Sequence, residues 1–410
     1  MKAETNNWLK PLLLSAILLR LLFCLFFFHP DIKSYQFHAQ FFRHGVWDIY
    51  SYIAENVSHL PSSDVFVYPP LAYYFLGSIN AVSGVILGPD FYSWLNDWGP
   101  GGYTHPKMFE FMLVLKLPYL VLDLMLGYLL VLLIGDRKLN QKLLLFWFFN
   151  PVSLYGIYML SQFDVLMALF TVASLILVKN HKLPQAACLL GLGAMIKSYP
   201  LLLLPFVIFR SKDKRQFALT CLATVAGLLL PLLPVLNSSA FRFTMSQSNL
   251  MARIFQAGIE VGGGQSLPIY VVCYTLVLWF SFKRKNETDL LPEFLTTTLT
   301  VLLFAHFHAQ WAIWSLPFLA VVWAKDKANL WPVYLALAIG YFFTNFLIAD
   351  QFVLTGIFSS LNNHALLVPA LTDTLKNFAD LSLVQSTFHT LLTASGLYLI
   401  IRLWKNYDHS

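Results

Sequence analysis

Residues 11–35 read PLLLSAILLRLLFCLFFFHPDIKSY. The apolar part is close to the roughly 20 residues that cross a bilayer core. It stops on His29, Pro30, Asp31 and Lys33, where a plain anchor would carry a tryptophan and a turn. A spanning helix that ends in ionisable groups delivers chemistry to a membrane surface.

Of 410 residues, 58% are hydrophobic and 12% charged, a balance outside the range of soluble domains. Apolar stretches of near-spanning length recur along the chain with no long polar segment between them. The expected fold is therefore an all-α polytopic membrane protein, one integral domain over residues 1–410. No small-residue cleavage site follows the first run, which reads as a retained helix. Cys24, Cys188, Cys221 and Cys273 lie singly in apolar runs, without the spacing of a disulfide framework or a metal site.

Net charge is +6, and its placement sets topology. Eighteen of the 27 Lys and Arg residues lie at Lys2 and Lys10 and in GDRKLNQK (135–142), KNHK (179–182), RSKDKR (210–215), FKRK (282–285), AKDK (324–327) and RLWK (402–405). Short basic loops mark the cytoplasmic side, so both termini are expected there. Facing the other way are 29–65, SQFD near 161, KSYP near 197, 237–266, HFHAQ (306–310) and 349–383. The pattern predicts about 11–13 spanning helices. Between Lys10 and Arg137 parity demands an even number of crossings, yet 11–28, 66–88 and 107–134 are three apolar runs. One of these runs does not span simply: a re-entrant or broken path at Pro69 and Pro70 in VYPPLAYYFLG (67–77) is the first choice, and a split at Pro118 the second. The run LPQAACLLGLGAMIKSYPLLLLPFVIF (183–209) goes out and back between two basic loops. That leaves roughly 20 Å per arm at 1.5 Å per residue. Neither arm spans, so the KSYP turn belongs below the outer surface, against a cavity.

Ionisable groups at membrane depth are site candidates. Lys197 reads as an anion contact or as a snorkelling interfacial lysine. Asp164 reads as a site residue or a helix cap, Arg20 as structural, and Asp123 as a partner of Lys116 or of another helix. His306, His308 and Gln310 share one turn, but no third ligand nearby supports a metal; Trp311 and Trp314 fit an interfacial belt equally well. Residues 29–65 carry aromatic and apolar positions at helical spacing, which predicts amphipathic helices roofing a cavity. Residues 237–266, ending in Gly262, Gly263 and Gly264, have the composition of a hinged lid. Those glycines are no nucleotide loop, since neither a preceding strand nor a phosphate-binding lysine accompanies them. Nucleic-acid signatures are lacking too.

The order of these blocks carries a resemblance: Asp31 ending the first helix, YPPLAYYFLG, HPKMFEFMLVLKLPYLVLDL (105–124), NPVSLYGIYMLSQFDVLMALF (150–170), KSYPLLLLP (197–205), MARIF (251–255) and FHAQWAIWSLP (307–317). Over residues 11–325 the chain resembles the GT-C class of membrane glycosyltransferases. It is most similar to the dolichyl-phosphate-glucose-dependent glucosyltransferases of N-glycan assembly and to the first mannosyltransferase of GPI-anchor assembly. The resemblance implies an inverting hexosyltransferase that takes its sugar from a polyprenyl phosphate and passes it to a glycan or glycolipid acceptor on the outer or luminal face. The membrane would be a plasma (inner) membrane or the endoplasmic reticulum. Asp31 would be the catalytic base. A lipid phosphate leaves readily, so no general acid is required. Lys197, Arg253 and Lys33 would meet the phosphate. Tyr35, Tyr68, Gln162, Asp164, Tyr199, His308, Gln310 and Trp311 would bind substrate. Family members often carry a second acid where this chain has Lys33, and neither a metal nor another cofactor is expected. Asp31 also reads as the N-cap of the next helix. Two other classes compete. A polysaccharide polymerase or ligase would want several arginines in one large outer loop, where only Arg242 and Arg253 stand. A secondary transporter would show related halves, which the sequence does not.

Overall fold

The computed structural model describes residues 8–247, 252–284, 287–305, 307–348 and 350–408. It is mostly helical: α1 (Leu9–Phe26), α2 (Pro30–Ala39), α3 (Ile49–Asn56), α4 (Pro70–Leu87), α5 (Pro89–Asn96), α6 (Met108–Ile134), α7 (Asn140–Phe149), α8 (Pro151–Leu154), α9 (Asp164–Lys179), α10 (Leu183–Ala194), α11 (Leu204–Ile208), α12 (Lys214–Leu232), α13 (Ser239–Gln247), α14 (Ile269–Lys283), α15 (Leu291–Phe304), α16 (Ala312–Lys325), α17 (Trp331–Phe346), α18 (Leu371–Leu375) and α19 (Leu381–Asp408). A π-helical turn, Tyr155–Met159, follows α8. The described strands are β1 (Gly258–Gly262) and β2 (Gln265–Pro268), an antiparallel hairpin. This is the expected all-α polytopic class. Among the described residues, α1, α4, α6 and Lys214–Val235 are long and apolar enough to cross a membrane, and the other apolar helices are shorter.

The basic loops gather at one end of the bundle. Lys179 Nζ donates to Leu133 O at 3.2 Å, Lys142 Nζ to Asp326 O at 3.0 Å and Arg210 Nε to Glu287 O at 2.6 Å. Arg402 lies 3.8 Å from Asp326. From that end the chain runs to the other and back along α1, α6, α7–α8, α9, α10, α11, α12, α14, α15, α16, α17 and α19, which is twelve legs among the described residues.

Neither break proposed from the prolines exists. Pro70 begins an unbroken α4, where its missing N–H costs nothing, and Pro118 sits inside a continuous α6. The run singled out for a non-spanning path, 66–88, packs as one unbroken helix, α4, along the cap that α2, α3 and α5 form. Tyr73 Oη donates to Val46 O at 2.8 Å, Gly77 abuts Phe42, Asn80 Nδ2 donates to Gln36 O at 3.1 Å and Gly84 abuts Tyr92. Successive turns of α4 are thus held by one layer.

Small residues let the short legs approach. A Cβ on Gly227 of α12 would stand 2.4 Å from Cys188 O of α10, the close contact that membrane helices use in place of a hydrophobic drive. Buried Asp123 pairs with another helix and not with Lys116: it accepts from Arg20 Nε at 2.6 Å, Trp147 Nε1 at 2.7 Å and Tyr158 Oη at 2.8 Å. Lys116 Nζ instead donates to Phe27 O at 2.5 Å and Tyr158 O at 2.8 Å, joining the end of α1 to the π turn. Gly262, Gly263 and Gly264 all have positive φ and form the tip of the β-hairpin. Their freedom is used in this tight turn.

Candidate active site

At the end opposite the basic loops a cavity of about 660 Å³ opens under the cap, inside the size range of ligand pockets. α2 supplies one wall. His29 caps this helix, its Nδ1 accepting from Asp31 N at 3.2 Å, and Pro30 occupies the first helical position. Asp31 is therefore not the cap but a first-turn carboxylate, where the helix dipole favours negative charge. Its Oδ2 accepts from Gln162 Nε2 at 2.7 Å and from Tyr35 Oη at 3.1 Å, while Oδ1 lies 3.5 Å from His29 Nδ1. The Asp31 side chain is 39% exposed, so it is both held and open to the cavity. Burial first, and then the charge on Asp31, keeps the Tyr35 phenol well above its usual range, so it stays a donor. Tyr68 Oη lies 3.1 Å from Tyr35 Oη and extends the chain of hydroxyls.

The second wall comes from the short-arm turn. α10 ends at Ala194 and a 3-10 turn begins at Tyr199, so Lys197, Ser198 and Tyr199 are set against the cavity, as the arm lengths require. Lys197 is no interfacial snorkeller. It is nearly buried, lies 4.7 Å and 5.1 Å from the rings of Phe163 and Tyr68, and donates to Asp164 Oδ2 at 2.5 Å. Asp164 is fully buried behind the wall, and its Oδ1 accepts from Trp314 Nε1 at 2.5 Å. One carboxylate thus holds both an ammonium and an aromatic column: Tyr199 stacks on Trp314 at 4.1 Å and Trp314 on Trp311 at 5.1 Å. Trp311 and Trp314 are buried, which replaces the interfacial-belt reading, and Asp164 works behind the surface a substrate would touch.

Arg253, in the 3-10 turn Ala252–Phe255, reaches the cavity with His308, whose Nε2 its guanidinium contacts; Gln310 lines the same side. Arg242, exposed on α13, donates to Leu236 O at 3.2 Å away from the cavity. His306 lies outside the described residues.

Lys33 does not join these cations. It points from the opposite face of α2 into the cap, where its Nζ contacts Asp97 O and Gly102 O and lies 5.3 Å from the rings of both Trp94 and Trp98. Burial pushes this ammonium down to about 8, with Asp97 pulling the other way. That placement takes Lys33 away from the expected phosphate site: a side chain beside Asp31 would sit three or four residues along the helix, and two residues on a helix point about 200° apart.

A held carboxylate at Asp31, a second at Asp350, two cations and an aromatic column around one cavity in a helical membrane bundle suit transfer of a sugar. The model of glycosyltransferase family 87 matches residues 66–349. The chain belongs to that family. No curated protein matches it. As a family 87 glycosyltransferase it binds a sugar donor and an acceptor at a membrane. The matched span contains Tyr68, Gln162, Asp164, Lys197, Tyr199, Arg253, His308, Gln310 and Trp311, and begins after Asp31, Lys33 and Tyr35. Sequence reasoning gave no site role to His29 and overlooked Asn345 and Asp350, all of which also line the cavity. Asn345 and Asp350 stand where a hydrophobic helix meets an outer loop, the pattern that exposed Asp31, but no aligned motif drew attention to them.

Proposed function

We propose that this glycosyltransferase transfers a hexose, with inversion, from a polyprenyl phosphate to a glycan or glycolipid acceptor. The observation that carries the reading is the cavity that sets the held, half-open Asp31 beside the walls bearing Lys197 and Arg253. Asp31 takes the proton of the acceptor hydroxyl as that oxygen attacks the anomeric carbon; the bond to the phosphate oxygen breaks, and the two cations stabilise the phosphate as it leaves. The aromatic column offers a flat face for a sugar ring. A second groove of about 400 Å³ between the end of α15 and α19 is lined by Leu303, Phe304, Ala305 and Leu397 beside the polar His389, Thr390 and Thr393, and its largely apolar wall suits an isoprenoid chain. The test is release of free polyprenyl phosphate from polyprenyl-phosphate glucose and polyprenyl-phosphate mannose by the purified enzyme in lipid nanodiscs. Release from neither, with acceptor lipids present, would sink the reading.

Read by that assay, Arg253→Ala raises the apparent donor constant and slows turnover together, and Arg253→Lys recovers part of both, because an ammonium keeps charge but not the two-pronged geometry. Arg242→Ala changes either by no more than about threefold, the scale of an exposed charge. Equal losses at the two positions would remove the specific phosphate role of Arg253.

The basic end of the bundle is cytoplasmic by the positive-inside rule, so the cavity faces outward or into the lumen of a plasma (inner) membrane or endoplasmic reticulum, and both termini are cytoplasmic. Ser198→Cys should then react with a small charged thiol reagent added on the non-cytoplasmic side. Labelling solely from the cytoplasmic side would reverse the topology.

A further inference from the structure

Among the described residues, several buried polar atoms of cavity-lining side chains have no hydrogen-bond partner, and for Asn345 Oδ1 the orientation is fixed as well. Asn345, in the last turn of α17, is fully buried yet lines the cavity. Tyr155 Oη donates to Val353 O at 2.6 Å, so that oxygen can only accept from the amide 2.5 Å away. The nitrogen of Asn345 therefore faces Tyr155, and Oδ1 is left as an unsatisfied acceptor. A buried acceptor without a donor carries a penalty that a bound donor removes. Tyr155 begins the π turn, a helix irregularity often found at functional sites.

Asp350 lines the same side of the cavity. Its Oδ1 accepts from Phe352 N at 2.8 Å, and the Phe352 ring lies 6.2 Å from that of His29, the neighbour of Asp31. Asn345 Oδ1, Asp350 and Asp31 together make a wall rich in hydrogen-bond acceptors and negative charge. Lys197 and Arg253 are placed by other segments.

We infer that Asn345 and Asp350 form the acceptor subsite, which takes an uncharged, hydroxyl-rich sugar unit and rejects an anionic one. Hydroxyl groups of that unit donate to Asn345 Oδ1 and to Asp350, which turns the reacting hydroxyl toward Asp31. A carboxylate or phosphate on the same ring would face Asp350 unscreened. The inference rests on the transferase reading above but is tested by binding alone, without donor.

The experiment measures binding of hexyl glucoside and hexyl mannoside, each against its uronic acid counterpart, to the full chain in nanodiscs, by tryptophan fluorescence and thermal shift. At least one uncharged hexoside should bind about tenfold or more tightly than its uronate. Asn345→Leu should weaken that binding by about tenfold, the scale of losing one partner of a buried polar group. Asp350→Asn, at an exposed position that does not threaten folding, should bring the uronate to within about threefold of the hexoside. Equal binding of hexoside and uronate by the wild type, or an Asp350→Asn variant that still excludes the uronate, would overturn the subsite. Failure of polyprenyl phosphate release with hexoside binding intact would fault the donor reading and leave the subsite standing.

Discussion

Asp31→Asn lowers transfer by at least about a hundredfold, the lower end of what a general base contributes, while the protein inserts and folds as before. The amide keeps the size of the carboxylate. Gln162 Nε2 and Tyr35 Oη, which donate to Asp31 Oδ2 at 2.7 Å and 3.1 Å, still find an acceptor in the amide oxygen if that oxygen takes the Oδ2 place. What is lost is the lone pair that receives the acceptor proton. The measurement is hexose transfer in nanodiscs beside a thermal denaturation curve. Turnover near the wild-type level would end the assignment of Asp31 as base, and loss of folding together with activity would show that Asp31 is chiefly a structural link between α2 and Gln162.

Lys197→Met has the largest expected effect on stability. It leaves the fully buried Asp164 with Trp314 but without its counter-charge, and removing one member of a buried pair costs about 3–5 kcal/mol. The double variant Lys197→Met/Asp164→Asn replaces that charge with a neutral amide and should regain most of the lost stability, yet it should not regain transfer, because no ammonium returns to the cavity wall. Melting temperature and turnover measured on the same three proteins separate the two roles. Recovery of activity in the double variant would mean that Lys197 only neutralises Asp164 and has no contact with the donor.

The helical class and the grouping of basic loops were legible because they depend on composition and spacing, which the bilayer dictates almost without regard to packing. The placement of KSYP followed from chain length alone, since 27 residues cannot cross twice. Other features depended on which neighbour each side chain meets. Pro69 and Pro70 looked like a break, and tertiary contacts with the cap made them the start of a helix. Asp164 looked like a substrate contact, and only the fold showed a carboxylate turned inward to Lys197 and Trp314. Lys33 lay two residues from Asp31 in sequence, and helix geometry sent it to the opposite side. Asn345 could not have been found at all without Tyr155 and Val353, since its free acceptor is defined by what those two groups already use.

Lys33 also bears on how firmly the cap is held over the cavity. α2 is gripped on both sides: Asp31 and Tyr35 tie it to Gln162, and the Lys33 ammonium ties it to Asp97 O and Gly102 O among aromatic rings. Lifting the helix would strip a buried cation of its acceptors, far costlier than breaking a neutral contact. These contacts hold α2 in place from both sides, and its backbone amides are expected to exchange hydrogen more slowly than those of α13. A lipid-borne donor of the kind proposed would then enter sideways, with its tail still in the bilayer and no need to be drawn into water.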